Sequence, residues 1–272
     1  MPVDPQLRSL DIEIPTQPEV LVKLSLLMAA DDIDLLAMSA LVEGDMALAA
    51  AVLKAVNSSL YGLRGRVQTV HQALTYLGMR EVAAITFEMG LRAAFPPAAE
   101  LESVWNRAAQ RGLMMGRMGQ MLGVDPWAAH SAGLFEECGK AVLYRHAPSH
   151  YPAMLRAAAN DQELVQLEHT AFGVSHDALG AALCESWGLA PAAVANVRHH
   201  VEVQGTLVMP EALQRRSVSA VSALAWALMT APERLEEVAS AIAPQAQLDE
   251  NLMLRAARRV SEQIASATEH GR

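Results

Sequence analysis

His130-Ser-Ala-Gly-Leu-Phe-Glu-Glu-Cys-Gly-Lys140 is the stretch that decides the fold of this chain. Its small and apolar residues favour a helix, yet it carries two adjacent carboxylates, Glu136 and Glu137, followed by Lys140. A hydrolytic Fe, Mn or Zn centre uses an imidazole beside a carboxylate, because the nitrogen donates a lone pair and the oxygen offsets the charge of the cation. Two glutamates supply charge without an imidazole. The stretch therefore raises the question of whether chemistry persists here or only the supporting helices.

The composition predicts an all-α protein. Hydrophobic residues make up 52% of the 272 residues and aromatic residues only 4%, with alanine and leucine dominating and β-branched residues sparse. A chain of this length can bury a sizeable core as one large domain or two smaller ones. No sheet is needed to account for the pattern.

The charge balance excludes several classes of partner. The formal net charge of −9 repels phosphate, so we expect neither nonspecific nucleic-acid binding nor binding to an anionic membrane. The N-terminal residues lack a basic region with an apolar signal core, and no apolar run reaches membrane-spanning length. We expect a cytoplasmic protein in which Cys138 and Cys184 are buried thiols rather than a disulfide.

The helical pattern divides into three segments. Phe95-Pro96-Pro97-Ala98 interrupts it, because proline removes backbone donors and disfavours helix before it. We therefore predict an N-terminal helical subdomain over 1–97, a second helical subdomain over 98–205 and a C-terminal helical extension over 206–272. Within the second segment we expect the helix that begins at Asp125-Pro126 to reach Gly139-Lys140, with a further helix following.

Several motifs carry a family resemblance. Ile14-Pro-Thr-Gln-Pro18, Ala55-Val-Asn-Ser-Ser-Leu-Tyr-Gly62, Ala73-Leu-Thr-Tyr-Leu-Gly78, Val104-Trp105 and the run from His176 through Gly180, Leu183 and Trp187 resemble the HDOD (HD-related output domain) family. The resemblance covers residues 12 to about 203. It implies an N-terminal helical bundle and an HD-like helical bundle, and Ala132-Gly133-Leu134 with Gly139-Lys140 matches the core helix of the wider HD superfamily.

The same resemblance implies that the metal site of HD hydrolases is degenerate. Arg107 stands where the first histidine ligand is expected, and Glu136-Glu137 replaces the His-Asp doublet, whereas His176 and the pair His199-His200 are kept. A guanidinium cannot ligate a metal, so we expect Arg107 to pair with Glu136 or Glu137 in a partly buried site and to replace the cation. We predict no cofactor, no metal centre and no enzymatic activity. The degenerate-site positions are Arg107, Glu136, Glu137, Lys140, His176, His199 and His200, and any residual cation would use Glu137, His176, His199 and His200.

A second group of residues forms a predicted corner after the third helix. Asn57 and Ser58 are residue types that bond backbone groups at a helix end, and Gly62 permits a positive φ. With Tyr61, Arg64 and Arg66 they predict a structural corner. An alternative is that the corner lies on a surface for protein recognition, beside the boundary at Pro96-Pro97.

Three functions remain open from the sequence. The HDOD resemblance favours a non-catalytic bacterial regulatory protein that binds a protein partner, with a small ligand also conceivable. The second is a residual metal-dependent phosphohydrolase or cyclic-dinucleotide phosphodiesterase, which Arg107 disfavours. The third is a helical scaffold that works as a homodimer.

Overall fold

The structure is a computed structural model that describes residues 12–28, 34–63, 65–209, 211 and 213–270. Over these residues the chain forms 14 α-helices and two short 3₁₀ helices without a strand, and 78% of the protein is helical. The all-α prediction is therefore confirmed. The helices are α1 (Glu19–Met28), α2 (Leu35–Glu43), α3 (Met46–Val56), α4 (Val70–Leu77), α5 (Met79–Ala93), α6 (Glu102–Leu122), α7 (Pro126–His146), α8 (Tyr151–Ala157), α9 (Asp161–Phe172), α10 (His176–Ser186), α11 (Pro191–Thr206), α12 (Leu213–Thr230), α13 (Leu235–Ala246) and α14 (Glu250–His270).

The chain divides into two compact units. The larger unit contains Phe95–Arg259 together with the N-terminal segment that ends at Pro15, and the smaller unit contains Thr16–Ala94 with Val260–Arg272. This division differs from the three predicted segments, most of all after residue 205. Helices α12 and α13 belong to the larger unit because α12 packs against α6, α7, α11 and α13.

The larger unit is built around α7, which packs against α6 and α10. Glycines permit close approach of the helices at both crossings. A Cβ on Gly133 would lie 2.9 Å from the Cα of Gly112 in α6, and a Cβ on Gly180 in α10 would lie 2.8 Å from the carbonyl oxygen of Phe135. Contacts this short do not occur between real Cβ atoms and backbone, so larger residues would force the helices apart.

The predicted break at Gly139-Lys140 is wrong, because α7 runs through it without interruption to His146. Gly139 is instead a packing residue. A Cβ at this position would overlap the carbonyl oxygen of His176 at 1.8 Å, so glycine lets α10 reach the backbone of α7. Helix α7 begins where predicted, since Asp125 accepts hydrogen bonds from the amides of Trp127 and Ala128 and Pro126 occupies the first helical position.

The smaller unit is a bundle in which α5 contacts α1, α2, α3 and α4. Its buried face comes from three-four spacing, as in Leu21 and Leu24 of α1 and Val52 and Val56 of α3. A capping box begins α4, where the Thr69 hydroxyl accepts from the Gln72 amide and the Gln72 side chain accepts from the Thr69 amide.

Within the described residues, no single helix is both long and apolar enough to cross a membrane. One bent pair, Leu35–Glu43 with Met46–Val56, meets the length and composition criteria together. Cys138 and Cys184 are free and buried, as predicted, and burial raises the pKa of both thiols.

Candidate functional site

The site begins with two arginines on one face of α6. Arg107 and Arg111 are four residues apart, so their side chains emerge one turn apart on the same side of the helix. Their surroundings differ greatly: the Arg107 side chain is 44% exposed, whereas that of Arg111 is 2% exposed. Arg111 lies between the buried Ala108 and the buried run Gly112 to Met115, so it is the more deeply buried of the two cations.

Glu136 on α7 is fully buried and uses both of its oxygens. Oε2 pairs with Nη1 of Arg111. Oε1 accepts hydrogen bonds from Nδ2 of Asn196 on α11 and from Oγ of Ser222 on α12, each at 2.6 Å. Helices α6, α11 and α12 thus supply donors to one buried carboxylate, which offsets the cost of removing its oxygens from water.

Glu137 on α7 contacts three cations. Its Oε2 lies 2.8 Å from Nη2 of Arg107 and 2.9 Å from Nζ of Lys140, and its Oε1 lies 3.6 Å from Nη2 of Arg111. Lys140 is fully buried and also donates to Oδ1 of Asp161 on α9 at 2.8 Å. These six residues, Arg107, Arg111, Glu136, Glu137, Lys140 and Asp161, are called the ion-pair cluster below.

The ion-pair cluster contains three cations and three carboxylates, so its formal charges cancel. The pKa values follow from this balance. Burial alone would raise the pKa of Glu137, but Lys140, Arg107 and Arg111 together lower it to about 2. Burial opposes ionisation of Asp161 as well, yet Lys140 and other neighbouring cations hold its pKa well below the usual range. Burial opposes the charge of Arg111 too, but the carboxylates raise its pKa, so Arg111, Glu137 and Asp161 stay charged at neutral pH.

His176, in the first turn of α10, belongs to a second group of buried polar side chains, which also contains Glu168 and Tyr151. Oε2 of Glu168 accepts from the backbone amide of His176 at 2.8 Å and lies 2.7 Å from its Nδ1. Oε1 of Glu168 accepts from the Tyr151 hydroxyl at 2.5 Å. The carboxylate therefore fixes the orientation of the imidazole ring and the start of α10 at the same time.

The two members of the histidine pair face different environments. His200 is buried, its ring centroid lies 5.7 Å from that of His176, and its Nδ1 lies 2.7 Å from the carbonyl oxygen of Val197. A carbonyl only accepts, so Nδ1 carries the proton and Nε2 has the lone pair. Burial lowers the pKa of His200, which keeps the ring neutral. The side chain of His199 is 41% exposed and lies 3.3 Å from Glu202 instead.

The residues present do not fit the metal centre of an HD hydrolase. The described residues contain no group of three or more histidine, cysteine, aspartate or glutamate side chains placed to hold a metal ion. The four ligands that the sequence offered for a cation are not brought together, because His199 is exposed and Glu137 is occupied by Arg107 and Lys140. The Nε2 atoms of His176 and His200 are buried and have no hydrogen-bond partner among the described residues, yet two nitrogens alone do not form a hydrolytic site.

The expectation that Arg107 pairs with Glu136 or Glu137 in a partly buried site is confirmed by its contact with Glu137. Arg111 is not among the predicted site residues, however, and Arg107 lies at the edge of the site. The central position belongs to Arg111, which contacts both. A signal for it was present in the sequence: Arg111 lies one helical turn after Arg107 and enters a run of apolar residues, where an arginine is rarely tolerated without buried carboxylate partners.

Other members of the site had weaker signals. Asp161 and Glu168 lie on α9, and Asn196 and Ser222 lie on α11 and α12, all far from the Glu136-Glu137 doublet in sequence. Their placement depends on how the helices pack, and no local motif marks any of them. Ser222 lies beyond residue 205, in the predicted extension that showed no functional motif.

At the predicted corner, Asn57 has a structural role. Its Nδ2 donates to the carbonyls of Leu53 and Val67, and its Oδ1 accepts from the Val67 amide, which closes the loop between α3 and α4. Gly62 adopts the predicted positive φ, at 68°. Ser58 and Tyr61 are half-buried, Arg66 is exposed, and Arg64 lies outside the described residues. A recognition role for the corner stays a prediction.

The fold and the site together define an all-helical protein with a buried ion-pair cluster where α6 packs against α7. A model of the HDOD domain matches residues 14–203, and the chain belongs to the HDOD domain family. An uncharacterized protein of Treponema pallidum (strain Nichols) is 27% identical over 197 residues, which are 69% of this chain and 37% of that protein. The chain thus spans less than half the length of this relative.

Solved structures support the same fold. An HDOD domain protein of unknown function from Geobacter sulfurreducens superposes with a TM-score of 0.71 at 19% identity, covering 96% of this chain and 94% of that one. A candidate signal transduction protein from Marinobacter aquaeolei VT8 superposes with a TM-score of 0.71 at 23% identity, covering 96% of this chain and 60% of that one. A candidate phosphohydrolase from Shewanella amazonensis SB2B superposes with a TM-score of 0.66 at 18% identity, covering 98% of this chain and 97% of that one. Similarity at these identities shows the fold alone.

Proposed function

We propose that this chain is a non-catalytic regulatory protein of bacterial signal transduction that acts by binding a protein partner. The observation that carries the proposal is the ion-pair cluster, in which Arg111 and Lys140 occupy the carboxylates that a metal would need. A cytoplasmic location accords with this role and belongs to the proposal.

The physical argument concerns charge. A hydrolytic metal generates its nucleophile by lowering the pKa of a bound water, and it needs open carboxylate or imidazole ligands in order to bind. In this protein each carboxylate of the doublet already contacts a guanidinium that stays protonated at any physiological pH. A divalent cation brought beside Arg111 would be repelled by it, and the ion-pair cluster would gain two positive charges without a counter-charge.

The experiment measures metal content and hydrolysis on the purified full chain. We expect substoichiometric Fe, Mn and Zn by elemental analysis, including in protein grown with each metal added. We also expect no hydrolysis of a cyclic dinucleotide or of bis(p-nitrophenyl) phosphate above the protein-free control. About one metal ion per chain with chelator-sensitive hydrolysis would overturn the proposal and support the phosphodiesterase alternative.

Partner binding needs its own measurement. Affinity capture of the tagged full chain from its native cytoplasm at endogenous level should enrich a defined protein over a tag-only control. Sedimentation of the isolated chain separates this role from that of a homodimeric scaffold. A stable dimer that captures nothing would favour the scaffold over the proposed regulator.

A further inference from the structure

The smaller unit has an apolar surface on its first two helices. Leu26 of α1 is 69% exposed and Leu36 of α2 is 73% exposed, and Val22 and Leu35 beside them are also exposed. Both helices also carry a separate buried apolar face, Leu21 and Leu24 in α1 and Met38 and Val42 in α2. The four exposed residues, Val22, Leu26, Leu35 and Leu36, are called the α1–α2 face below.

Helices of this kind are unusual on a protein surface. A surface helix is normally apolar on one side and polar on the other, and a helix that is apolar on both sides is normally covered on both. Val22 and Leu26 are four residues apart and so lie on one side of α1. Helix α1 packs against α2, so the two pairs of exposed residues lie on two helices that are in contact. Within the described chain nothing buries these four residues, which marks the face as a contact surface.

The charges around the face select its occupant. Between Glu19 and Asp45 the sequence has seven charged residues, of which six are acidic, and Lys23 is the only cation. That cation is already paired with Glu19 at 2.7 Å. Asp34 is exposed and caps α2 directly before Leu35 and Leu36, and Glu43 and Asp45 at the other end of α2 are also exposed. The described residues of α2 and its ends thus carry negative charge and no cation.

We propose that the α1–α2 face binds a basic amphipathic helix of a partner protein, with its apolar residues against Leu26 and Leu36 and its lysines or arginines beside Asp34. This proposal rests on the proposed function, for which it names the docking surface and the chemistry of the partner. Such helices dock through apolar residues at three-four spacing, and complementary charge favours their association.

The same charges disfavour the other occupants. A second copy that used the same face would bring an identical set of acidic residues against the first, because a two-fold interface places like patches together. An anionic lipid surface would be repelled by Asp34, Glu43 and Asp45. Both remain distinct outcomes of the experiment.

The probe is a fluorescently labelled 18-residue peptide with leucines at three-four spacing and lysines elsewhere, titrated with the full chain and read by anisotropy. We expect saturable binding that weakens as salt rises. A peptide of the same composition with the spacing scrambled, and one with glutamates in place of lysines, should bind at least tenfold more weakly. The double variant Leu26→Ser/Leu36→Ser should weaken binding at least tenfold with an unchanged circular dichroism spectrum.

Two further variants make the test specific. Asp34→Asn removes a negative charge but keeps an N-cap, because asparagine caps a helix as well as aspartate does. It should weaken binding and flatten its salt dependence. Val208→Ser is the matched control, since Val208 is 62% exposed but lies in the larger unit. It should bind as the unchanged chain does.

Several results would overturn the proposal. The acidic peptide could bind as tightly as the basic one, or the double leucine variant could bind the basic peptide as tightly as the unchanged chain does. The chain could also form a homodimer that the double leucine variant abolishes. Binding to vesicles of phosphatidylserine and phosphatidylcholine that exceeds binding to the peptide would also overturn it. If Leu26→Ser/Leu36→Ser still captures the native partner, the docking surface is refuted while partner binding stands. Phosphodiesterase activity, by contrast, would refute the proposed function and leave the peptide result intact.

Discussion

The two units distribute polarity in opposite ways. Among the described residues, fourteen buried polar or charged side chains lie in the larger unit and two, Thr86 and Glu88, in the smaller unit. Six of the exposed large hydrophobic side chains lie in the smaller unit, and only Leu167 and Val208 lie in the larger unit. The larger unit thus keeps charge inside, whereas the smaller unit exposes apolar surface.

The two units therefore differ in the interactions that fill their interiors. A buried set of ion pairs gives little net stability, because the desolvation of each charge offsets its attraction to its partner, but losing one member is costly. Separating α6, α7, α9, α11 or α12 from one another would therefore leave a buried charge or a buried polar group without its partner. The smaller unit has an almost entirely apolar core and exposes Leu26, Leu35 and Leu36 on α1 and α2. We expect the units to respond differently to substitution and to pH.

The largest effect should come from Arg111→Met, which keeps much of the side-chain volume and removes the central cation. Glu136 loses its only described ionic partner, and Glu137 loses one of three. We expect a loss of about 3–5 kcal/mol, because a buried carboxylate is left uncompensated. Urea unfolding followed by tryptophan fluorescence measures it, since all four tryptophans of the chain lie in the larger unit.

Arg255→Met is the matched control for this prediction. Arg255 is an exposed arginine in the part of α14 that belongs to the larger unit. It should change stability by less than about 0.5 kcal/mol, as surface substitutions usually do. If Arg111→Met were as mild as this control, the ion-pair cluster would not be the element that holds these helices together.

Sequence reasoning identified one part of the site and missed the rest for physical reasons. Glu136, Glu137 and Lys140 share one local motif, so their proximity follows from helical geometry alone. The other residues of the site are brought in by tertiary packing. Asn196 and Ser222 donate to Glu136 because α11 and α12 pack against α7. Gly139 looks like a helix end in the sequence, because the sequence does not show that α10 approaches α7 at this residue.

Acid should weaken the larger unit. The pKa of Glu137 is lowered from 4.5 to about 2 in the folded protein. A carboxyl with a depressed folded pKa contributes stability above its unfolded pKa and loses it as pH falls through the folded value. Glu137 alone should therefore cost about 3 kcal/mol between pH 4.5 and pH 2, and Asp161 acts in the same direction. Urea midpoints from tryptophan fluorescence should fall across this window, and a level profile down to pH 2 would contradict the assignment.

The pH dependence of stability should have the opposite sign in the smaller unit, because of Glu88 on α5. Burial raises its pKa from 4.5 to about 7, although Arg92 opposes the shift. The unfolded chain then ionises this group more readily, so stability is lost as pH rises from 4.5 to 7. Glu88→Gln should remove this loss and stabilise the smaller unit at pH 8 by about 2–3 kcal/mol, because the buried amide still has a desolvation cost. Hydrogen exchange of α5 peptides at pH 5 and pH 8 measures it, and destabilisation at pH 8 would show that Glu88 makes a required ionic contact.

The smallest effect should come from Arg107→Ala, and it defines the edge of the ion-pair cluster. Arg107 is 44% exposed, and Glu137 keeps Lys140 and Arg111 when it is removed. Water can screen the vacated side of Glu137, so the loss should be no more than about 1 kcal/mol, the range of partly exposed ion pairs. The same tryptophan-detected unfolding at 50 mM and 500 mM salt should show this small difference shrink at high salt, because the contact is accessible to counter-ions. A loss equal to that of Arg111→Met would mean that Arg107 shares the central role; a loss at the predicted level would assign the central cation to Arg111 alone and leave Arg107 as a replaceable outer contact.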